Sequence, residues 1–182
     1  ELYDEPFGDS SGIPTFLVSR VAREQVKVAL SADGGDELFG GYANYDVMPR
    51  HVARLTDMPL WLRRIAGAAL KNPGARDALT ALARVLPAHK RNKLRDRLAK
   101  LGQLLPDGDP AQVFDLAISF WTAPDVARLL GAYASPRPLS NAYQGSFQEQ
   151  MMLWDAHHYL PGDILTKVDR ATMAVGLEGR EP

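Results

Sequence analysis

The chain has 182 residues, with 21 Lys and Arg against 22 Asp and Glu, 46% hydrophobic residues and 24% charged ones. That composition excludes a disordered segment, and a formal net charge of -1 points to neither nucleic acid nor a membrane surface as partner. Cysteine is absent, which removes disulfides, thiolate metal sites and a cysteine nucleophile from this stretch and makes the cytoplasm the expected location.

No apolar run reaches the about 20 residues needed to span a bilayer. The opening Glu1-Leu2-Tyr3-Asp4-Glu5-Pro6 has neither a starting methionine nor the basic and apolar regions of a signal peptide. Glu178-Gly179-Arg180-Glu181-Pro182 ends without a glycine cap or polar tail. Both ends are expected to be cuts in a longer chain.

Residues 1–12 read as a loop from which Ser10 or Ser11 caps a helix that tolerates Pro14 in its first turn. Phe16, Leu17, Val21 and Ala22 keep near-helical spacing and predict a helix over 15–25. Val26-Lys27-Val28-Ala29-Leu30 alternates as a short strand. Ser31 to Gly35 is turn chemistry, and Asp36-Glu37-Leu38-Phe39 opens the next helix with acids at its positive end. Helix, strand, glycine turn and helix in that order are the grammar of an α/β sheet.

Beyond Tyr42 the pattern becomes helical. Residues 50–105 predict two or three helices with breaks at Pro59, Pro73-Gly74 and Pro87. A turn at 105–110 precedes helices over 111–121 and 124–131, the second capped by Thr122. After a loop at 134–138, helices over 146–159 and 163–176 complete the pattern. No internal repeat or low-complexity segment is present.

The chemistry concentrates in Ser31-Ala32-Asp33-Gly34-Gly35-Asp36-Glu37-Leu38-Phe39-Gly40-Gly41-Tyr42, where three carboxylates fall within five residues directly after a strand. Ligands of open α/β sheets bind at the carboxyl ends of strands. Glycines there let backbone N–H groups approach phosphate oxygens. Carboxylates beside phosphate repel it unless a cation intervenes, and Mg2+ is held by one or two carboxylates plus phosphate oxygens. The segment lacks a Walker lysine and is no P-loop. Bare D-G-G-D also suits an acidic turn capping a helix, so the full run of twelve carries the specificity.

That run resembles the S-G-[D/E]-G-[G/S]-D-E-[L/V]-F-G-G-Y segment of the asparagine synthetase family, departing only at Ala32. Asp4-Glu5-Pro6-Phe7-Gly8-Asp9-Ser10-Ser11-Gly12-Ile13-Pro14-Thr15 resembles the family's D-E-P-F-x-D-S-S-x-I-P-T. Leu160 to Arg170 is similar to L-P-x-D-I-L-x-K-x-D-R, and Met173-Ala174 with Leu177-Glu178-Gly179-Arg180-Glu181-Pro182 to the M-A and E-x-R-x-P that follow it in the family.

The resemblance implies an adenine nucleotide α-hydrolase-like (PP-loop ATPase) α/β fold, dominated here by helices, with ATP and Mg2+ required. It implies ATP-dependent amidation of a carboxylate, aspartate by default, through an acyl-adenylate. The ammonia would come from glutamine hydrolysed by a separate glutaminase domain of the same parent chain. Carried over, Ser31 and Ala32 contact the adenosine part, Gly34 and Gly35 belong to the nucleotide loop, Asp36 holds Mg2+, and Tyr42 lines the pocket. Asp33 lies near the acyl-adenylate, and Glu178 matches a glutamate that supports the proton acceptor in lactam-forming relatives.

The family's first nucleotide loop, S-G-G-x-D-S, does not occur in this chain, nor does the glutaminase cysteine or the family's lysine-bearing segment. The chain alone is therefore expected to be inactive. Ala32 in place of glycine is tolerable at negative φ and strained at positive φ. Another acceptor, such as a sugar acid or a lactam-forming amino acid, is an alternative, although Asp33 stands where lactam formers tend to carry Tyr. A non-catalytic module that keeps the fold is the alternative from another class, disfavoured by retained, mutually repelling carboxylates.

Gly8-Asp9-Ser10-Ser11-Gly12 has the look of a serine-protease nucleophile segment, but that site needs a histidine and an aspartate upstream, and helix capping explains the serines. His157-His158, near Asp155 and Asp169, point about 100° apart on a helix and read as ordinary histidines rather than metal ligands. His89, Lys90, Arg91, Lys93, Arg95, Arg97 and Lys100 read as a solvated helix face. Phe114, Leu116, Ile118, Phe120, Trp121 and Met151 to Trp154 read as core.

Overall fold

The elements in chain order are α1 (Gly12–Arg23), β1 (Val28–Leu30), α2 (Gly35–Phe39), α3 (Ala43–Asp57), α4 (Leu60–Lys71), α5 (Pro73–Leu82), α6 (Ala88–Leu104), α7 (Pro110–Ile118), α8 (Ala123–Leu130), α9 (Phe147–Trp154), a π-helical stretch (Asp155–Leu165), α10 (Thr166–Met173) and β2 (Glu178–Arg180). They come from a computed structural model that describes residues 3, 6–83, 87–106, 108–119, 121, 123–131 and 144–181. The chain divides into one unit of residues 1–45 with 143–182 and a second of residues 46–142.

In the first unit β1 and β2 pair in parallel, Val28 opposite Glu178 and Leu30 opposite Arg180. Helix α10 packs against both α1 and β2 and buries Val168, Ala171 and Thr172. Parallel pairing puts the carboxyl ends of both strands at one edge, where the Ser31 N–H donates to the Arg180 carbonyl at 3.0 Å. The turn that follows β1 is thereby fixed to the end of β2.

Several boundaries differ from the sequence reading for local reasons. Helix α1 begins at Gly12 rather than Thr15, and neither proposed serine caps it as expected. Ser11 occupies the cap position, but its hydroxyl donates to Asp9 Oδ2 at 2.5 Å. Val26 lies just past the turn that ends α1, where its N–H donates to the Ala22 carbonyl at 2.9 Å, so the strand shortens to three residues. Strand β2 had no signal, because Glu-Gly-Arg lacks apolar or β-branched residues.

The break expected at Pro161-Gly162 does not form. The chain continues through this stretch in π-type turns with Pro161 inside them. The Thr166 hydroxyl satisfies the Pro161 carbonyl at 2.8 Å.

Within the second unit α6 packs against α4, α5 and α7. The expected breaks at Pro59, Pro73 and Pro87 are all present, but residues 50–105 hold parts of four helices instead of two or three, since α3 runs through Pro49. Asn72 caps α5 by accepting from the Gly74 N–H at 2.8 Å, and Asp109 caps α7 by accepting from Ala111 at 3.0 Å. Trp121, 63% exposed, and Leu153, 40% exposed, are not core as expected, whereas Phe114 and Met151 are buried. The Thr122 cap, Phe120 and the 134–138 loop lie outside the described residues.

Helices α4 and α6 approach closely because Gly102 has no side chain. A Cβ there would stand 2.9 Å from Leu70 Cβ and 3.1 Å from its backbone carbon. Alanine favours helices by about 1 kcal/mol over glycine, yet overpacking costs about 1–3 kcal/mol. Gly102→Ala is therefore expected to lower the urea midpoint, and a raised midpoint would disprove the close approach.

Candidate active site

The turn after β1 is built by its own side chains. Ser31 Oγ donates to Asp33 Oδ2 at 2.6 Å, and the Gly35 N–H returns to the Ala32 carbonyl at 3.1 Å. Gly34 takes φ 90°, a left-handed conformation that favours glycine, and is buried against Leu160. No described residue other than glycine has positive φ, so Ala32 sits without strain. Space around the Cβ position of Gly35 is open, leaving its backbone approachable.

Helix α2 then carries two acids to opposite environments. Asp36 is exposed, and a Cβ on Gly41 would overlap its carboxylate, so the glycine keeps that carboxylate in place. Glu37 is 2% exposed and accepts the Tyr42 hydroxyl at 2.7 Å. Tyr42 meets Tyr45 and Tyr159 edge-on, with ring centroids 5.6 and 6.3 Å away. Burial, and then the Glu37 hydrogen bond, push the Tyr42 hydroxyl upward in pKa, so it remains a neutral donor. Beneath this cluster Tyr45 donates to Asp155 Oδ2 at 2.6 Å, with both residues buried.

A second anchor joins the loop before α1 to α10. Lys167 Nζ lies 2.8 Å from Asp9 Oδ2, and the lysine is buried. The Lys167 and Ser11 hydrogen bonds hold the Asp9 carboxyl down to about 2 from an ordinary 3.8. A depressed carboxyl adds stability above its unfolded value and loses it as pH falls through the folded value. Asp9→Asn is expected to remove on the order of 2 kcal/mol at neutral pH and to flatten the stability curve between pH 3.8 and about 2. Urea titrations across that window measure it, and parallel curves for the two proteins would refute the assignment.

The structure therefore gathers Ser31, Ala32, Asp33, Gly34, Gly35, Asp36 and Tyr42 around one turn and the short helix it opens. Glu178 stands at the start of β2 opposite Val28, and its carboxylate pairs with Arg180 at 2.7 Å. Sequence reasoning missed buried Glu37 and Tyr45 and half-buried Tyr159 as partners of the site. Glu37 lay inside the recognised run, but burial of a second acid beside an exposed one has no signature in spacing.

His157 and His158 are exposed, and His158 stacks on Trp154 at 4.8 Å. No group of three or more His, Cys, Asp or Glu that could hold a metal occurs among the described residues. In the basic run Arg95 and Arg97 are exposed, and Arg95 pairs with Asp77 at 3.1 Å. Lys100 differs from a solvated face, donating to the Leu116 carbonyl at 2.8 Å and the Ser119 carbonyl at 3.3 Å. Among the described residues no helix is long and apolar enough to cross a membrane.

An acidic, glycine-bearing turn stands at the shared carboxyl end of the two parallel strands, the edge at which open α/β sheets bind their ligands. A sequence profile described as asparagine synthase matches residues 1–182, and the chain belongs to that family. It is 35% identical over 185 aligned positions to a putative asparagine synthetase [glutamine-hydrolyzing] of Mycobacterium tuberculosis, covering 98% of this chain and 26% of the relative. It is 31% identical over 189 positions to asparagine synthetase [glutamine-hydrolyzing] 1 of Bacillus subtilis, covering 99% and 26%. A putative asparagine synthetase [glutamine-hydrolyzing] 2 of Methanocaldococcus jannaschii is 64% identical over 44 residues, 24% of this chain and 8% of the relative. The chain thus spans about a quarter of the length of the relatives it matches along its whole extent. No solved structure matches it.

Proposed function

We infer that the chain is part of the PP-loop ATPase-type synthetase domain of an enzyme that joins ammonia to a carboxylate at the expense of ATP, aspartate being the default acceptor. The carrying observation is the exposed Asp36 carboxylate, kept clear by Gly41, in the glycine turn at the carboxyl end of β1. That donor set fits Mg2+, a hard cation held by one or two carboxylates with phosphate oxygens. The open space beside Gly35 leaves room for an approaching phosphate. Bound there, Mg2+ would neutralise phosphate charge and help pyrophosphate to leave.

The chain's own groups have separable tasks. Ser31 and Ala32, exposed at the end of β1, present polar and small surface to the nucleoside. Ser31 fixes one oxygen of Asp33 and leaves the other for the acyl group or the incoming amine. Tyr42 closes the inner wall with its hydroxyl turned to Glu37. Glu178, at the start of β2, is assigned the supporting role that the resemblance to lactam-forming relatives implies. Exposed Leu30 and Phe39 suit a sheet that continues into the rest of a parent chain, because parallel sheets are normally covered on both faces. Glutamine hydrolysis is assigned to another domain of that parent, since this chain has no cysteine.

The test is exchange of labelled pyrophosphate into ATP by the complete protein that carries this chain. Exchange that depends on aspartate supports the reading. Dependence on another carboxylate changes the acceptor only, and no exchange with any carboxylate sinks it. The 182-residue chain by itself is expected to show none, because S-G-G-x-D-S does not occur in it.

A further inference from the structure

The second unit contains a cavity of about 340 Å³ that the synthetase reading does not use. Its floor is apolar, from Met48 on α3, Leu101 and Leu104 on α6, and Val113 and Leu116 on α7, with Met48 and Val113 buried. Its volume lies within the about 300–1,000 Å³ of small-molecule sites, which combine apolar walls with few polar groups. Elsewhere α6 is pressed tightly onto α4 through Gly102, so the space facing α3 and α7 is not a feature of loose helices throughout.

The ionisable groups at its mouth are all basic. His51 and Arg54 lie three residues apart on one face of α3, and Lys100 faces them from α6. Among the described residues no Asp or Glu lines the cavity. Lys100 spends two donors on the carbonyls at the end of α7, and an ammonium has three. Arg54 is exposed, leaving its guanidinium open to an incoming anion. An apolar floor beneath a cationic rim is complementary to a molecule with an apolar body and an anionic head.

We propose that this cavity is a binding site for a small amphipathic monocarboxylate, its apolar chain between α3, α6 and α7 and its carboxylate against Arg54. The carboxylate gains a charge-assisted hydrogen bond from the guanidinium, and the chain leaves water for an apolar wall. A cation of the same shape would meet the rim's repulsion, and a short carboxylate would lack the apolar contribution. Nothing in this proposal depends on the amide-forming activity.

Isothermal titration of the 182-residue chain with octanoate, octylammonium and acetate at low salt tests it. Octanoate is expected to saturate one site per chain, while the other two show no binding at the same concentrations. Arg54→Gln should weaken octanoate by roughly fivefold, the weight of one partly exposed ion pair. Ala117→Phe, which adds a ring at an exposed position on the cavity wall, should abolish binding without lowering the thermal midpoint. Equal binding of octylammonium, or unchanged affinity in both variants, would overturn the proposal. Absence of octanoate binding by the folded wild-type chain, or concentration-dependent dimerisation that Ala117→Phe blocks, would also overturn it.

Discussion

Asp36→Asn is expected to lower pyrophosphate release by roughly a hundredfold or more in the complete protein that carries this chain, the scale of several kcal/mol of lost charge stabilisation. Asp36 is the exposed carboxylate of α2, and Gly41 leaves room for it where any other residue would intrude. The amide oxygen of Asn can still point to a cation but brings no charge, so phosphate charge stays unneutralised. Glutamine hydrolysis should be largely untouched. Asp33→Asn should act at a later step, because Asp33 is tied to Ser31 in the turn ahead of the helix. Nucleotide binding should persist there while amide formation falls, since a proton acceptor or substrate contact is weakened. Measuring pyrophosphate and amide separately at saturating Mg-ATP distinguishes the two. Wild-type pyrophosphate release by Asp36→Asn would remove the metal role from the centre of the proposed function.

What was legible in the sequence follows from which signals are local. Glycine after a strand, acids at a helix start and prolines between helices act within a few residues, and so β1, α2 and the breaks before α4, α5 and α6 could be read. Strand β2 could not, because Glu-Gly-Arg becomes a strand only through pairing with Val28–Leu30, some 150 residues earlier. Likewise the Asp9–Lys167 pair spans 158 positions, although each partner sat inside a recognised run. Expected core at Trp121 and Leu153 failed because helical spacing identifies an apolar face but not whether a neighbour covers it. The exposed part of the candidate site was therefore readable, and its buried support was not.

That support predicts the second large effect. Tyr45 is 1% and Asp155 8% exposed, and the hydroxyl donates to the carboxylate across 2.6 Å. Burial raises the Asp155 pKa, the Tyr45 hydrogen bond opposes it, and the negative charge of Glu37 raises it further. Tyr45→Phe keeps the ring but removes the donor, leaving a buried carboxylate short of a partner. Hydrogen bonds to charged groups contribute about 1.5–3 kcal/mol, and the loss at neutral pH should be of that order. Asp155→Asn should cost less, because its amide oxygen can still accept from Tyr45 and no charge is buried. The pH dependence runs opposite to that of Asp9. A raised folded pKa gives stability that is present below the unfolded value of 3.8 and lost as pH rises through the folded value. Acidification should therefore narrow the difference between Tyr45→Phe and wild type, because a protonated carboxyl needs the donor less. Urea unfolding of both single variants and the double variant at pH 7 and at lower pH gives the comparison. The double variant should lose less than the sum of the singles, since the two groups share one interaction. A Tyr45→Phe deficit that stays constant with pH, together with strict additivity, would show that the tyrosine contributes packing alone and that Asp155 does not depend on its hydroxyl.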